Sequence, residues 1–267
     1  MQMKGIELVR HRRSVRTFDG NPLRQADADA ILTYAKKTQN PYGIAIDWKL
    51  LSAREHGLSS PVIVGADTFI AGKVHRELHA EEAFGFAFER IVLYAESLGV
   101  GTTWIAGTMD RPAFERAMQL SPDEVMPCVS PLGYPSEKMS LRETMMRKGV
   151  KADTRLPLSQ LILSGSPESI FMPCQEAFEM LRWAPSAVNK QPWRMKIETD
   201  RVLFFEAKNK GFVDAYGWDI QKVDMGIALC HFMYGIEESG RTASLTICDP
   251  GFPVPHGMEY IATVTVQ

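Results

Sequence analysis

The sequence predicts an α+β fold in which one pattern of helix and strand occurs twice along 267 residues. Two observations carry that expectation. Residues 81–98 and 223–239 have helical spacing yet are apolar on nearly every face, with Phe84, Phe86, Phe88, Ile91, Val92 and Leu93 in one and Met225, Ile227, Leu229, Phe232, Met233 and Ile236 in the other. A helix without a solvent face belongs inside a protein or against a partner. Each also ends at a glycine, Gly99 or Gly240, and each follows an amphipathic helix and a strand containing or led by tryptophan, Trp48 or Trp193. The offsets 193 − 48 = 145, 226 − 85 = 141, 240 − 99 = 141 and 258 − 126 = 132 shrink in loop-sized steps while the order is kept, which reads as an internal duplication. Two unrelated segments of mixed helix and strand would give a similar pattern. If the repeats are real, their central helices satisfy each other by packing about a pseudo-twofold axis, as in a symmetric dimer.

In chain order, residues 5–13 read as a short helix and Asp19-Gly-Asn-Pro22 as a turn; 27–37 is an amphipathic helix stopped at Asn40-Pro41. Residues 48–53 and 62–66 read as strands. After the first central helix come a strand at 102–106, a helix at 112–118 and a strand at 124–134. Residues 136–166 are charged and read as an irregular connecting arm. The second pass has a helix at 174–183, a strand at 193–197, the second central helix, a strand at 243–248 and a last strand near Met258. The expected domains are therefore 1–135, an arm over 136–170, and 171–267 starting at Phe171-Met-Pro173.

Composition narrows the function. Thirty Lys and Arg against thirty-two Asp and Glu give a net charge of −2, so no general polyanion-binding surface is expected and nucleic acid is not a partner. The four cysteines have no CxxC spacing and are read as reduced thiols of a cytoplasmic protein. No apolar run is long enough for a membrane helix, and charges at Lys4, Glu7 and Arg10 do not suit a signal peptide. His75 and His79 stand four apart without a third ligand, which reads as a surface pair rather than a metal site. His231 beside Cys230 reads as an interior histidine, since adjacent helical residues diverge by about 100 degrees.

Against this neutral background, Arg10-His-Arg12-Arg13-Ser14-Val-Arg16 places four arginines and a serine in seven residues. Guanidinium forks match phosphate oxygens, so the cluster suits a phosphorylated small molecule; on composition alone it is equally a solvated basic turn. Pro185-Ser186-Ala-Val-Asn189 leaves a helix with short polar side chains and main-chain N–H groups suited to the edge of a flat heterocycle, or simply stops the helix before a strand at Pro192.

Four motifs together, Arg12-Arg13-Ser14-x-Arg16, Pro185-Ser186-x-x-Asn189-x-Gln191-Pro-Trp, Leu98-Gly-x-Gly-Thr102 with Trp104-Ile105-Ala106-Gly107, and Leu132-Gly-Tyr-Pro135, resemble those of the FMN-dependent nitroreductase family. The chain departs from the usual order: the Pro-Ser-x-x-Asn turn is absent from the first half, where Asn40-Pro-Tyr-Gly43 stands, and the second half lacks the arginine cluster. It is most similar to a duplicated-chain subgroup. The resemblance implies a three-layer α/β/α fold with mainly antiparallel sheets, two repeats forming an intramolecular pseudo-dimer, and hence a monomer, with a homodimer left open. It implies FMN as cofactor and NAD(P)H as co-substrate, with nitroaromatics, quinones or similar small molecules as acceptors, in a ping-pong hydride transfer. Arg12, Arg13 and Ser14, joined by Arg155, would hold the phosphate and ribityl end, and Arg16 would stabilise the reduced ring electrostatically. Pro185, Ser186, Asn189 and Gln191 would meet the pyrimidine edge, and Trp104, Ile105, Ala106 and Gly107 would pass one ring face. Ala106 departs from the acidic residue often found there. No metal is implied. A flavin-binding or purely structural pseudo-dimer without turnover is the rival reading.

Overall fold

The computed structural model describes residues 3–166, 174–212, 218–248, 250–251 and 253–267. The fold is α+β with mainly antiparallel sheets, as the resemblance implied. The chain divides into two compact units: residues 1–3, 11–80 and 87–152 form one, and residues 4–10, 81–86 and 153–267 the other. The division at 152/153 falls inside the expected arm, and the expected second start at Phe171 lies outside the described residues.

The first unit holds α2 (Gln25–Lys37), β1 (Asp47–Ser52), α3 (Ala53–His56), β2 (Thr68–His75), most of α4 (Ala80–Ser97), α5 (Arg111–Met118), β3 (Glu124–Val125), β4 (Val129–Leu132) and α6 (Leu141–Gly149). Strand β2 is the hub, antiparallel to β1, β3 and β4. Trp48 pairs with Gly72 across β1 and β2 and lays its indole where a Cβ on Gly72 would be, so the large residue covers the gap left by the small one. Phe88 of α4 packs on Trp48 and edge-on to Trp104, at centroid distances of 5.3 and 4.6 Å. On β1 and β2, Leu51, Phe69 and Ala71 bury against Phe114 and Met118 of α5.

The second unit takes α1 (Gly5–His11) up to Arg10 and the opening turns of α4. It adds α7 (Leu158–Leu161), β5 (Ile162–Ser164), α8 (Gln175–Trp183), a short 3-10 turn (Ala187–Asn189), β6 (Trp193–Ile197), β7 (Arg201–Ala207), α9 (Ile220–Glu238), β8 (Ala243–Thr246) and β9 (Met258–Val266). The sheet order is β5-β6-β7-β9-β8, antiparallel except for the β5–β6 pair. Phe232 of α9 meets Phe178 of α8 and Phe204 of β7 edge-on, at 5.1 and 5.3 Å. Within this unit α4 and α9 touch backbone to backbone. A Cβ on Gly85 would overlap the Val223 carbonyl oxygen, and one on Gly226 the Glu82 carbonyl oxygen. The contact is reciprocal: each glycine meets the residue three before the other.

Several sequence expectations change. Residues 62–66 are not a strand: Pro61 and the left-handed Gly65 leave a turn with one bridge, Thr17 to Val64. Residues 102–106 likewise make isolated bridges, and 124–134 splits into β3 and β4 at Pro127. The arm is not irregular. Ser140 caps α6 by accepting the Glu143 N–H at 3.1 Å, and α7 and β5 follow. His75 ends β2, so it shares no helix face with His79; it meets Asp123 at 3.1 Å.

Candidate functional site

Past the end of α1, residues 14–19 run extended. Val15 N–H donates to Thr102 O at 2.8 Å, Phe18 N–H to Val64 O at 2.9 Å, and Asp19 N–H to Tyr134 O at 3.0 Å. The arginine cluster is therefore a pinned strand-like segment, with Ser14 bridged to Thr102, rather than a solvated turn. Its arginines point to different surroundings. Arg12 is buried, with Nε 3.8 Å from Glu89 of α4, and among the described residues its Nε and Nη1 have no hydrogen-bond partner. The hydroxyls of Thr102 and Thr103 are also buried and unpartnered. Glu89 accepts the Trp104 indole N–H at 2.8 Å, so one buried carboxylate serves both Arg12 and the Trp104 stretch.

Arg13 and Arg16 meet instead at Glu143. Its carboxylate accepts from Arg13 Nη1 at 3.1 Å and from the Arg16 backbone N–H at 3.2 Å. The capping sequence Ser140-x-x-Glu143 would ordinarily turn the glutamate back to the Ser140 N–H; here Thr17 Oγ1 takes that N–H, at 3.0 Å, and Glu143 is released to the cluster. Burial lowers the Arg16 guanidinium from its ordinary value, with Glu143 opposing and Arg147 adding to the shift. Ile105, Ala106 and Gly107 follow Trp104, and Ile105 is stitched to Val129 in both directions at 2.9 Å. Ala106 O accepts from Arg111 Nη2 at 3.3 Å, while the same guanidinium holds the carbonyls of Met126 and Pro127 at 2.6 and 3.0 Å. We expect Arg111→Met to cost about 2–4 kcal/mol, because it strands buried carbonyls; a shift in the urea midpoint checks it.

In the second unit the turn after α8 is strained and heavily bonded. Val188, Asn189 and Gln191 all have positive φ, at 43°, 59° and 51°, although none is glycine. Each such residue costs on the order of 1–3 kcal/mol and persists only where its surroundings over-determine it. Here they do. Ser186 Oγ accepts the Gln191 N–H at 2.8 Å, and Gln191 Oε1 accepts the Leu156 N–H at 2.9 Å. Asn189 Nδ2 donates to Thr154 O at 3.1 Å, and Asp224 of α9 takes the Ala187 N–H on its two oxygens at 3.0 and 3.1 Å. Pro185 leads into this turn from α8. Arg155, expected beside the phosphate end, is engaged with the turn: Nη1 meets Asn189 Oδ1 at 3.4 Å, Nη2 donates to Trp183 O at 3.2 Å, and the guanidinium lies over the Trp183 ring.

The structure thus brings Arg155, Asn189 and Gln191 together in one unit, and Arg13 and Arg16 together in the other. Sequence reasoning missed Glu89, Glu143 and Asp224. The visible trace of Asp224 was a lone acid among the apolar residues 223–236. His231 is buried with Nδ1 2.9 Å from Met180 O. Among the described residues no group of three His, Cys, Asp or Glu is arranged to hold a metal, and no helix is long and apolar enough to cross a membrane.

No curated protein matches the sequence. Among solved structures, a putative nitroreductase from Thermotoga maritima aligns over 99% of this chain and 94% of its own, at 22% identity and a TM-score of 0.67, and so shares the fold. A nitroreductase family protein from Clostridium difficile covers 63% of this chain and 100% of its own at 16% identity and a TM-score of 0.49. A nitroreductase with bound FMN from Bacteroides fragilis covers 51% and 90% at 20% identity and a TM-score of 0.41. The model of the family described as "Putative TM nitroreductase" matches residues 5–236, and the chain belongs to that family.

Proposed function

We propose that the protein is an FMN-dependent oxidoreductase that takes hydride from NADH or NADPH and passes it to a nitroaromatic, quinone or similar small acceptor, the nicotinamide leaving before the acceptor enters. The observation that carries this reading is the turn at residues 185–191. Three non-glycine residues held left-handed by side chains from three segments are a cost without structural return, and such strain collects where a backbone must present fixed donors and acceptors. A flavin pyrimidine edge needs that kind of partner.

The first unit also fits FMN. Among the described residues Arg12 keeps two buried donors, and Thr102 and Thr103 two buried hydroxyls, without hydrogen-bond partners; a phosphate and its polyol chain would satisfy such groups. In this reading Arg12, Arg13 and Ser14 hold the phosphate end, and Arg16 sets positive charge beside the ring. Pro185, Ser186, Asn189 and Gln191 shape the pyrimidine partner, with Arg155 as their brace. Trp104 to Gly107 lie along one ring face. FMN, when bound, supplies the hydride chemistry; the protein supplies position and charge. With Ala106 in the ring-face stretch, no acid is assigned, so protons come from solvent. The reciprocal glycine contact of α4 and α9 supports the internal duplication, and we take the working species to be a cytoplasmic monomer.

Purified protein incubated with FMN and desalted should be yellow and should bleach when NADH or NADPH is added without oxygen. Yellow protein that does not bleach means binding without turnover, and colourless protein means a structural role; either sinks the enzymatic reading. Arg13→Ala and Asn189→Ala should each weaken FMN binding about tenfold or more, read by quenching of flavin fluorescence, since one removes a charge and the other a hydrogen-bonding amide.

A further inference from the structure

We propose that Asp224 is a positioning residue that locks the 186–191 turn in the shape needed to receive the flavin, an inference that rests on the FMN reading above. Asp224 lies in the second turn of α9, 2% exposed, in a helix otherwise lined by Val223, Met225, Ile227, Ala228 and Leu229. A carboxyl group in such a place is expensive unless it is paired with a cation or held by several donors. Asp224 has neither. Among the described residues its one hydrogen-bonding partner is the Ala187 N–H, which reaches both its oxygens. Its charged neighbours, Asp219 at the N-cap of α9 and Glu206 on β7, are acids, so they make ionisation harder rather than easier.

The group therefore does one thing, and it does it at the strained segment. Ala187 precedes the left-handed Val188 and Asn189, and its N–H is the only point where a side chain of α9 grips the turn among the described contacts. Release of that N–H frees the residues with the least favourable backbone angles to relax towards ordinary ones. A residue kept for fold stability would be worth more as leucine at this position. A residue kept to hold a turn in shape must accept a hydrogen bond at that point, whatever it costs the helix.

That contrast sets the experiment. Asp224→Asn retains an acceptor oxygen and removes the charge; Asp224→Leu fills the volume and removes the acceptor. Hydrogen exchange over residues 184–191, FMN affinity and the thermal midpoint are measured for both and for the parent chain. The expected result is that Asp224→Asn keeps exchange protection and binds FMN within about threefold of the parent, with an equal or higher midpoint. Asp224→Leu should exchange faster across 184–191 and lose about tenfold or more in FMN affinity, without a lower midpoint. Unchanged exchange in Asp224→Leu overturns the lock. Faster exchange with unchanged FMN affinity overturns its role in positioning. If the parent itself takes up no FMN, the cofactor reading fails separately, and the lock stands or falls on the exchange data alone.

Discussion

Gly226→Ala is expected to lower stability by about 3 kcal/mol or more, or to prevent soluble expression. The ordinary cost of adding a methyl group to a packed interior is roughly 1–3 kcal/mol, because neighbouring side chains shift to make room. Nothing can shift easily here. The new Cβ would overlap the Glu82 carbonyl oxygen and crowd the Phe86 N atom, both main-chain atoms of a helix. The opening turns of α4 would have to separate from α9, and the reciprocal site at Gly85 would open with them. Gly85→Ala should behave in the same way through the Val223 carbonyl. Gly149, in the last turn of α6 with nothing within 4 Å of the added Cβ, is the control: alanine there should be neutral or stabilising by up to about 1 kcal/mol. Urea midpoints measure all three. A Gly226→Ala protein within 1 kcal/mol of the parent would mean that α4 and α9 are not in backbone contact.

Glu206→Gln should flatten the pH dependence of stability. Glu206 is fully buried on β7, opposite Trp193 and Glu259 in the sheet, and among the described residues neither carboxyl oxygen has a hydrogen-bond partner. Burial, reinforced by Asp219 and Glu259 and opposed by Lys208 and Lys222, pushes its pKa up to about 7. The folded protein then holds a proton that the unfolded chain, with an ordinary glutamate value near 4.3, releases. The unfolded state binds fewer protons between those two values, so stability falls as pH rises. The contribution is complete below about pH 4 and is lost as pH climbs through 7, amounting to roughly 2–3 kcal/mol after allowance for screening. Burial also raises Asp219 and Asp224, so part of the slope will survive the substitution. Denaturation free energies at pH 5 and pH 8 provide the comparison. An equal difference in the parent and in Glu206→Gln would show that this carboxyl group is not the one titrating.

The long helices were legible in the sequence because their physics is local, whereas α6 and α7 fell in the stretch read as an irregular arm. Apolar spacing and the C-terminal glycines Gly99 and Gly240 mark boundaries within one to three residues of those observed. Strand β7 was not, since Val202 to Glu206 are all buried and a strand covered on both faces loses the alternation that would announce it. In β2, Gly72 interrupts the pattern, and only its cover by Trp48 explains why it is tolerated. The candidate site divides along the same line. Arg12 to Arg16 and Pro185 to Gln191 stand out by residue type, whereas the carboxylates that hold them come from Glu89, Glu143 and Asp224, each far away in the chain. Spacing cannot say which of thirty-two acids will meet a given guanidinium or amide.

The way the second unit is assembled bears on how the chain is made. Its segments 4–10 and 81–86 leave the ribosome early, while the glycine that seats against Glu82 follows Gly85 by 226 − 85 = 141 residues. At about 5–20 residues per second, that is a wait of roughly 7–28 seconds with an uncovered apolar helix on a nascent polypeptide. The first unit can begin to fold in that interval while the α9 partner of the opening turns of α4 is still to be made, so chaperone demand should persist until the segment around Gly226 has been synthesised.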